Sequence, residues 1–131
     1  MIGLDTNVLL RCFVDDEPNQ ARRARQFVRD RCKPSDPGFV NRVVLCELIW
    51  VLSRGYHFGR AEIAAVVSSL LTSNDIVLED SEQVRVALLS FQSGGLGFAD
   101  ALMGEVNRVH GCEATATFDR KAARLGGFVL V

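Results

Sequence analysis

The chain has 131 residues, 48% of them hydrophobic, which is enough to bury one core without disulfide or metal staples. Its formal net charge of -1 argues against a generally basic nucleic-acid-binding protein. The four cysteines are widely scattered, no secretory segment is recognised, and no apolar run approaches the roughly 20 residues of a membrane span. We therefore expect a single cytoplasmic domain over residues 1–131, with no membrane partner.

The first predicted element is a short apolar strand over residues 1–4, which ends at Asp5. An apolar segment that includes residues 8–14 follows and indicates a helix. In open α/β sheets, ligands gather at the carboxyl ends of the parallel strands. Asp5 is therefore a candidate functional residue.

A second helix, predicted from about Asn19 to Arg31, follows a turn that contains Pro18. Six of the chain's 15 basic residues fall within twelve positions here, opposed only by Asp30: Arg22, Arg23, Arg25, Arg29, Arg31 and Lys33. Two interpretations of this strip remain open, a solvated helix face and a face turned toward phosphates.

The remaining elements alternate between helices and short apolar strands, which predicts a parallel sheet covered on both faces. In chain order they are a strand at 39–40, a helix at 42–53 capped by Asn41, a helix at 60–71, a strand at 76–78, a helix from about 81, a helix from 98, a strand at 114–117, a short helix at 120–124 and a strand at 128–131. Glycines 94, 95 and 97 precede a helix, but the Gly-Lys-Ser/Thr ending of a phosphate-binding loop is missing, so they are interpreted as a flexible loop.

Four acidic residues are poorly explained by local structure: Asp5, Glu47, Asp100 and Asp119. Two of them stand at strand ends and two on helices among apolar neighbours. We expect them to share one site. Carboxylates placed within a few ångströms repel one another, so such a group needs a cation.

Oxygen ligands without a convergent set of histidines or cysteines favour Mg²⁺, with Mn²⁺ as the second choice. Such an ion activates water and offsets charge on a phosphate leaving oxygen. The predicted chemistry is hydrolysis of phosphodiester bonds.

Four motifs in order resemble the successive acidic motifs of PIN-domain nucleases: Asp5-Thr6-Asn7, Glu47 within a helix, Phe98-Ala99-Asp100-Ala101-Leu102 and Thr117-Phe118-Asp119-Arg120-Lys121. The resemblance is greatest to the VapC toxin ribonucleases and covers residues 2–131. It implies a three-layer α/β/α domain with a central, mostly parallel sheet of four to five short strands. It also implies an Mg²⁺-dependent endoribonuclease of a type II toxin–antitoxin pair, with RNA as substrate, an antitoxin as partner and a homodimer as the common assembly.

The same resemblance implies roles for individual residues. Asp5 and Asp100 would be the principal metal ligands, and Glu47 and Asp119 would hold the metal's waters or a second ion. The neighbouring polar residues that could hydrogen-bond the carboxylates or the substrate phosphate are Thr6, Asn7 and Thr117. Local backbone capping explains these three equally well.

Asn41 stands at the start of the Glu47 helix, where many relatives carry serine or threonine. Asparagine caps a helix as well as these residues do. Glu105 lies off the face that Asp100 presents, so we interpret it as a solvated surface glutamate. We expect surface roles for His57 and His110.

The alternative function is a non-catalytic PIN-like module that binds RNA or protein. A receiver domain is disfavoured because it needs a lysine after its last strand, whereas Lys121 stands two positions after Asp119 inside a predicted helix. A haloacid-type phosphatase is disfavoured because Asp5-Thr6-Asn7 lacks a second aspartate two positions on.

Overall fold

The computed structural model describes all residues from 1 to 131, which form two compact units, Met1–Ser81 and Glu82–Val131. We call them the N-terminal and C-terminal units and describe each by itself. The expectation of a single domain stays a prediction.

The N-terminal unit alternates three short strands with four helices. In chain order these are β1 (Ile2–Gly3), α1 (Thr6–Phe13), α2 (Pro18–Arg31), β2 (Gly38–Val40), α3 (Arg42–Gly55), α4 (Arg60–Thr72) and β3 (Ile76–Leu78). The strands form one sheet in the order β1-β2-β3, and both pairings are parallel. All three strands therefore end at the same edge of this sheet.

The core of the N-terminal unit consists of the inward stripes of its helices and the middle of its sheet. Apolar residues three and four positions apart share one side of a helix, so each helix buries a continuous stripe. The most deeply buried large side chains here include Leu9, Val40, Leu45, Leu48, Leu52, Ile63 and Val67.

The apolar residues of α4 belong to the core, since Ile63, Val66, Val67 and Leu70 are all buried. This helix has an almost continuously apolar sequence, so its sequence alone does not distinguish a core stripe from a docking stripe.

The C-terminal unit contains three helices and two strands: α5 (Ser81–Gln92), whose first residue belongs to the N-terminal unit, α6 (Phe98–Val109), β4 (Thr115–Thr117), α7 (Arg120–Ala123) and β5 (Phe128–Leu130). The two strands pair in parallel, with Thr117 opposite Leu130. Val84, Ala87, Leu88 and Phe91 form the buried stripe of α5, as the sequence predicts.

The predicted α/β class is confirmed, with five short strands and only parallel strand pairing. Three strands pair in the N-terminal unit and two in the C-terminal unit. None of the helices combines the length and the hydropathy that a membrane-spanning segment requires.

Candidate active-site acids

Asp5 lies where β1 ends and α1 begins. The preceding residue, Leu4, still belongs to the sheet edge, because its N–H donates to the carbonyl of Phe39 at 2.9 Å. The backbone of Asp5 is extended, and its Oδ1 accepts the N–H of Val8 at 2.9 Å, which caps α1. Its Oδ2 has no protein partner, and the side chain is exposed. Asp5 thus caps α1 with one carboxylate oxygen and keeps the second oxygen free.

The two neighbours of Asp5 occupy different environments. Thr6 is buried, whereas Asn7 is exposed. A groove of about 680 Å³ between α1 and α2 is lined by both Asp5 and Asn7. Of the two polar neighbours, only Asn7 therefore faces the space that Asp5 faces.

The end of β2 repeats the arrangement of the end of β1. Asn41 is extended and its Oδ1 accepts the N–H of Val44 at 2.8 Å, which confirms it as the cap of α3. Because β1 and β2 are parallel neighbours, both caps lie at the same edge of the sheet.

Glu47 follows in α3, and its side chain is exposed without a hydrogen bond or ion pair. The buried side of α3 consists of Leu45, Leu48, Ile49 and Leu52. Glu47 therefore lies outside the apolar stripe that surrounds it in the sequence, and no buried carboxylate needs to be explained.

An ion-pair cluster joins the end of β3 to the start of α3. Glu79 donates its N–H to the carbonyl of Val40 at 2.9 Å, and its Oε1 accepts the N–H of Arg42 at 2.9 Å. The Arg42 guanidinium lies 3.2 Å from both Glu79 and Asp80. The N–H and guanidinium of Arg42 hold the pKa of Glu79 below its usual range.

Sequence reasoning missed this cluster, since it joins residues 37 positions apart. The cluster fixes the strand edge to which Asp5 and Asn41 also belong.

In the C-terminal unit, Asp119 repeats the arrangement of Asp5. It follows β4, and its Oδ1 accepts the N–H groups of Lys121 at 2.8 Å and Ala122 at 3.4 Å. Its other oxygen has no protein partner, and the side chain is exposed. Thr117 Oγ1 accepts the N–H of Asp119 at 3.0 Å, which is the local capping contact.

Asp100 is the third residue of α6 and is exposed, with no hydrogen bond or ion pair to its side chain. A carboxylate in the first turn is favoured by the partial positive charge of a helix N-terminus. This position explains why an aspartate is tolerated there and leaves both of its oxygens available.

The structure thus places Asp5 and Glu47 in the N-terminal unit and Asp100 and Asp119 in the C-terminal unit. Within each unit, no three His, Cys, Asp or Glu side chains form a group that could hold a metal ion. The shared site of four acids stays a prediction. The four residues fit a hard cation individually, because each is exposed and offers at least one carboxylate oxygen without a protein partner.

The interpretation of Glu105 as a solvated surface residue is wrong. Its side chain is only 8% exposed, and both oxygens accept hydrogen bonds from the Arg108 guanidinium at 2.8 Å. These hydrogen bonds lower the pKa of Glu105. Its position four residues after the buried Ala101 was the available signal, since residues at that spacing share a helix face. With both oxygens engaged by Arg108, Glu105 has a structural role.

The histidines lie on the surface, as expected. His57 and His110 are exposed, and His110 Nδ1 lies 2.8 Å from the carbonyl of Val106.

The model of the PIN domain family matches residues 2–127, so the chain belongs to the PIN domain family. The match spans parts of both units and includes all four predicted acids. The chain is also 28% identical over 123 residues to a protein named VapC ribonuclease from Aquifex aeolicus (strain VF5). That similarity covers 94% of this chain and 90% of the relative.

We expect the Arg42 cluster to stabilise the folded protein. Glu79→Gln keeps an oxygen for the Arg42 N–H but removes the charge, so we expect a loss of about 1 kcal/mol in the free energy of unfolding at pH 7. Because Arg42 lowers the Glu79 pKa, its contribution is present above the ordinary value of 4.5 and is lost as the pH falls below it. The difference between wild type and variant should therefore shrink in acid.

Urea unfolding measures this difference. Glu82→Gln is the matched control, because Glu82 pairs with Arg85 on an open surface where its side chain is 82% exposed. The control should leave the unfolding midpoint nearly unchanged. A Glu79→Gln midpoint equal to that of wild type at pH 7 would contradict the role assigned to the cluster.

Proposed function

We propose that this protein is an Mg²⁺-dependent endoribonuclease and the toxin of a type II toxin–antitoxin pair. The observation that carries the proposal is the hydrogen bonding of the Asp5 and Asp119 carboxylates. Each caps a helix at a strand end with one carboxylate oxygen and keeps the second oxygen free. The proposal is supported by the PIN family match over residues 2–127 and by the similarity to a VapC ribonuclease.

We assign Asp5 and Asp100 as the residues that would hold Mg²⁺, or Mn²⁺ in its place. Both are exposed carboxylates, the ligand type that these ions prefer. When bound, such an ion supplies charge stabilisation at phosphate and activation of water.

Glu47 and Asp119 are the remaining catalytic acids in this proposal. Glu47 makes no protein contact that would occupy its oxygens, and Asp119 has one oxygen free, so each can orient water by accepting its hydrogen bonds. The helix caps restrict the rotamers of Asp5 and Asp119, because each Oδ1 is fixed by backbone N–H groups. Because these two side chains are already held before substrate binds, less conformational entropy is lost when they are positioned for the reaction.

The polar neighbours are assigned by the space they face. Asn7 lines the groove beside Asp5 and is available to a substrate phosphate. Thr117 supports Asp119 because its Oγ1 accepts the Asp119 backbone N–H, and buried Thr6 supports the start of α1. Of the three residues, only Asn7 is therefore proposed to touch substrate.

Asp5→Asn and Asp100→Asn should each lower kcat for RNA cleavage at least about 100-fold, because each removes a charged metal ligand. Asn at position 5 still caps α1 through its amide oxygen, so the variant should unfold at the wild-type urea concentration. Chelation should abolish cleavage, and added Mg²⁺ or Mn²⁺ should restore it.

Asp75→Asn is the matched control in the N-terminal unit, because the exposed Asp75 carboxylate makes no hydrogen bond or ion pair. This variant should keep wild-type activity. Full cleavage by the wild type in excess chelator would refute the proposed chemistry. RNA binding without any metal-dependent cleavage would favour the alternative, a non-catalytic PIN-like module that binds RNA or protein.

The proposed partners are a cognate antitoxin and a second copy of the chain, and the proposed location is the cytoplasm. Exposed apolar side chains on α3 support a protein contact, with Val43 75% and Trp50 63% exposed.

Expression of the protein alone should arrest growth of the host, whereas Asp5→Asn should not. A small protein should copurify with it from its own source, and sedimentation should give a dimer. Normal growth together with purification as a lone monomer would contradict these assignments.

A further inference from the structure

The arginines of α2 differ in whether they have partners within the protein. Four of its five arginines contact an oxygen of another side chain: Arg22 with Asn19, Arg25 with Asp15, Arg29 with Gln26 and Arg31 with Asp36. Arg23 is exposed and makes no hydrogen bond or ion pair. A guanidinium without a protein partner has all its donors available to a ligand.

Arg23 lies where two surface grooves meet. The first, which we call the Asp5 groove, is the groove of about 680 Å³ between α1 and α2. The second, which we call the outer groove, measures about 560 Å³ and lies along α2. Both grooves are lined by Arg23 and Phe27 and by no other shared residue. Asp5 lines only the first groove and Arg31, the last residue of α2, lines only the second, and we call the two adjoining grooves the path.

Four arginines line this path, namely Arg11, Arg22, Arg23 and Arg31. Arg11 and Arg31 are ion-paired with Asp16 and Asp36, so the guanidinium charges that no acid offsets are those of Arg22 and Arg23. Arg22 donates to the neutral Asn19, which leaves Arg23 as the lining arginine with no partner.

Phe27 adds a second kind of contact beside Arg23. It is 43% exposed, and it lies one helical turn after Arg23, so the two side chains are neighbours on one face. Exposed aromatic rings stack with nucleic-acid bases, and guanidinium groups bind phosphates. A peptide of acidic residues would satisfy the arginines but would leave the aromatic ring without a stacking partner.

We infer that this path binds single-stranded RNA, with Arg23 on a backbone phosphate and Phe27 stacked on a base, and that it leads the strand to Asp5. The nature of the occupant rests on the proposed function. Of the two interpretations of the arginine strip, a solvated face or a face turned toward phosphates, Arg23 then fits the second, and Arg23 and Phe27 position the substrate.

Binding of a fluorescein-labelled single-stranded RNA dodecamer in chelator tests the inference without requiring cleavage. Fluorescence anisotropy over a range of salt concentrations gives the affinity and its salt dependence. Arg23→Gln should weaken binding and reduce the slope of log K against log salt by about 0.7, the value for one phosphate contact on a single strand. Arg23→Lys should restore most of the slope.

Arg29→Gln is the matched control, since it removes the same charge from the same helix at a residue that lines neither groove. It should keep the wild-type slope. Phe27→Leu should weaken binding about 5-fold or more with the slope unchanged, whereas Phe27→Tyr, which keeps an aromatic face, should bind as wild type does. Urea unfolding of each variant excludes loss of folding as the cause.

In cleavage assays with Mg²⁺, Arg23→Gln should raise KM for RNA and leave kcat unchanged, which is the pattern for a contact present equally in ground and transition states. Equal slopes for Arg23→Gln and wild type would overturn the inference, and so would a failure of the wild type to bind the dodecamer. Tighter binding of a polyglutamate peptide of equal charge would also overturn it and would assign the path to a protein partner. Binding without cleavage would refute the proposed nuclease activity and leave the path intact.

Discussion

The hydrogen bond from the Val8 N–H to Asp5 Oδ1 is the contact on which the account of this protein depends. It ends a strand of only two residues and starts α1, so it fixes where the chain leaves the sheet. It also divides the carboxylate into one oxygen held by the backbone and one that is free. The Asp5 carboxylate is thereby oriented by a hydrogen bond that the fold needs in any case.

The same local arrangement, a strand end followed by a capped helix, occurs three times in the chain. A short parallel strand ends and a polar side chain then caps the next helix, at Asp5, Asn41 and Asp119. Asn41 is the neutral member of the three. At Asp5 and Asp119 the same side chain caps a helix and is a candidate for the chemistry, so an acid is favoured at these positions on structural grounds alone.

Local patterns predicted most of the fold, because most of its elements are specified locally. The apolar spacing identified the helices and their buried stripes, and Asn41 was identified as a cap from its position before an apolar helix. The acids at strand ends were found in the same way. Their local environment could be predicted, since a cap involves residues only two or three positions apart.

Features that depend on distant contacts could not be predicted. The Arg42 cluster joins α3 to the end of β3, and neither segment indicates the other. Glu105 is buried because its side of α6 faces inward and Arg108 satisfies its charge, which a surface interpretation of a lone glutamate did not anticipate. The arginine strip could not be divided into paired and free members until its partners were known. Arg23 and Phe27 then emerged as the residues that the two grooves share.

The central claim is that the free oxygen of Asp5 binds a divalent cation. Titration of the protein with Mn²⁺, with free Mn²⁺ followed by electron paramagnetic resonance, tests it most directly because no substrate or partner is needed. The account predicts that Asp5→Asn binds Mn²⁺ at least about 10-fold more weakly than wild type while unfolding at the same urea concentration. Equal Mn²⁺ affinity in the two proteins would contradict the account.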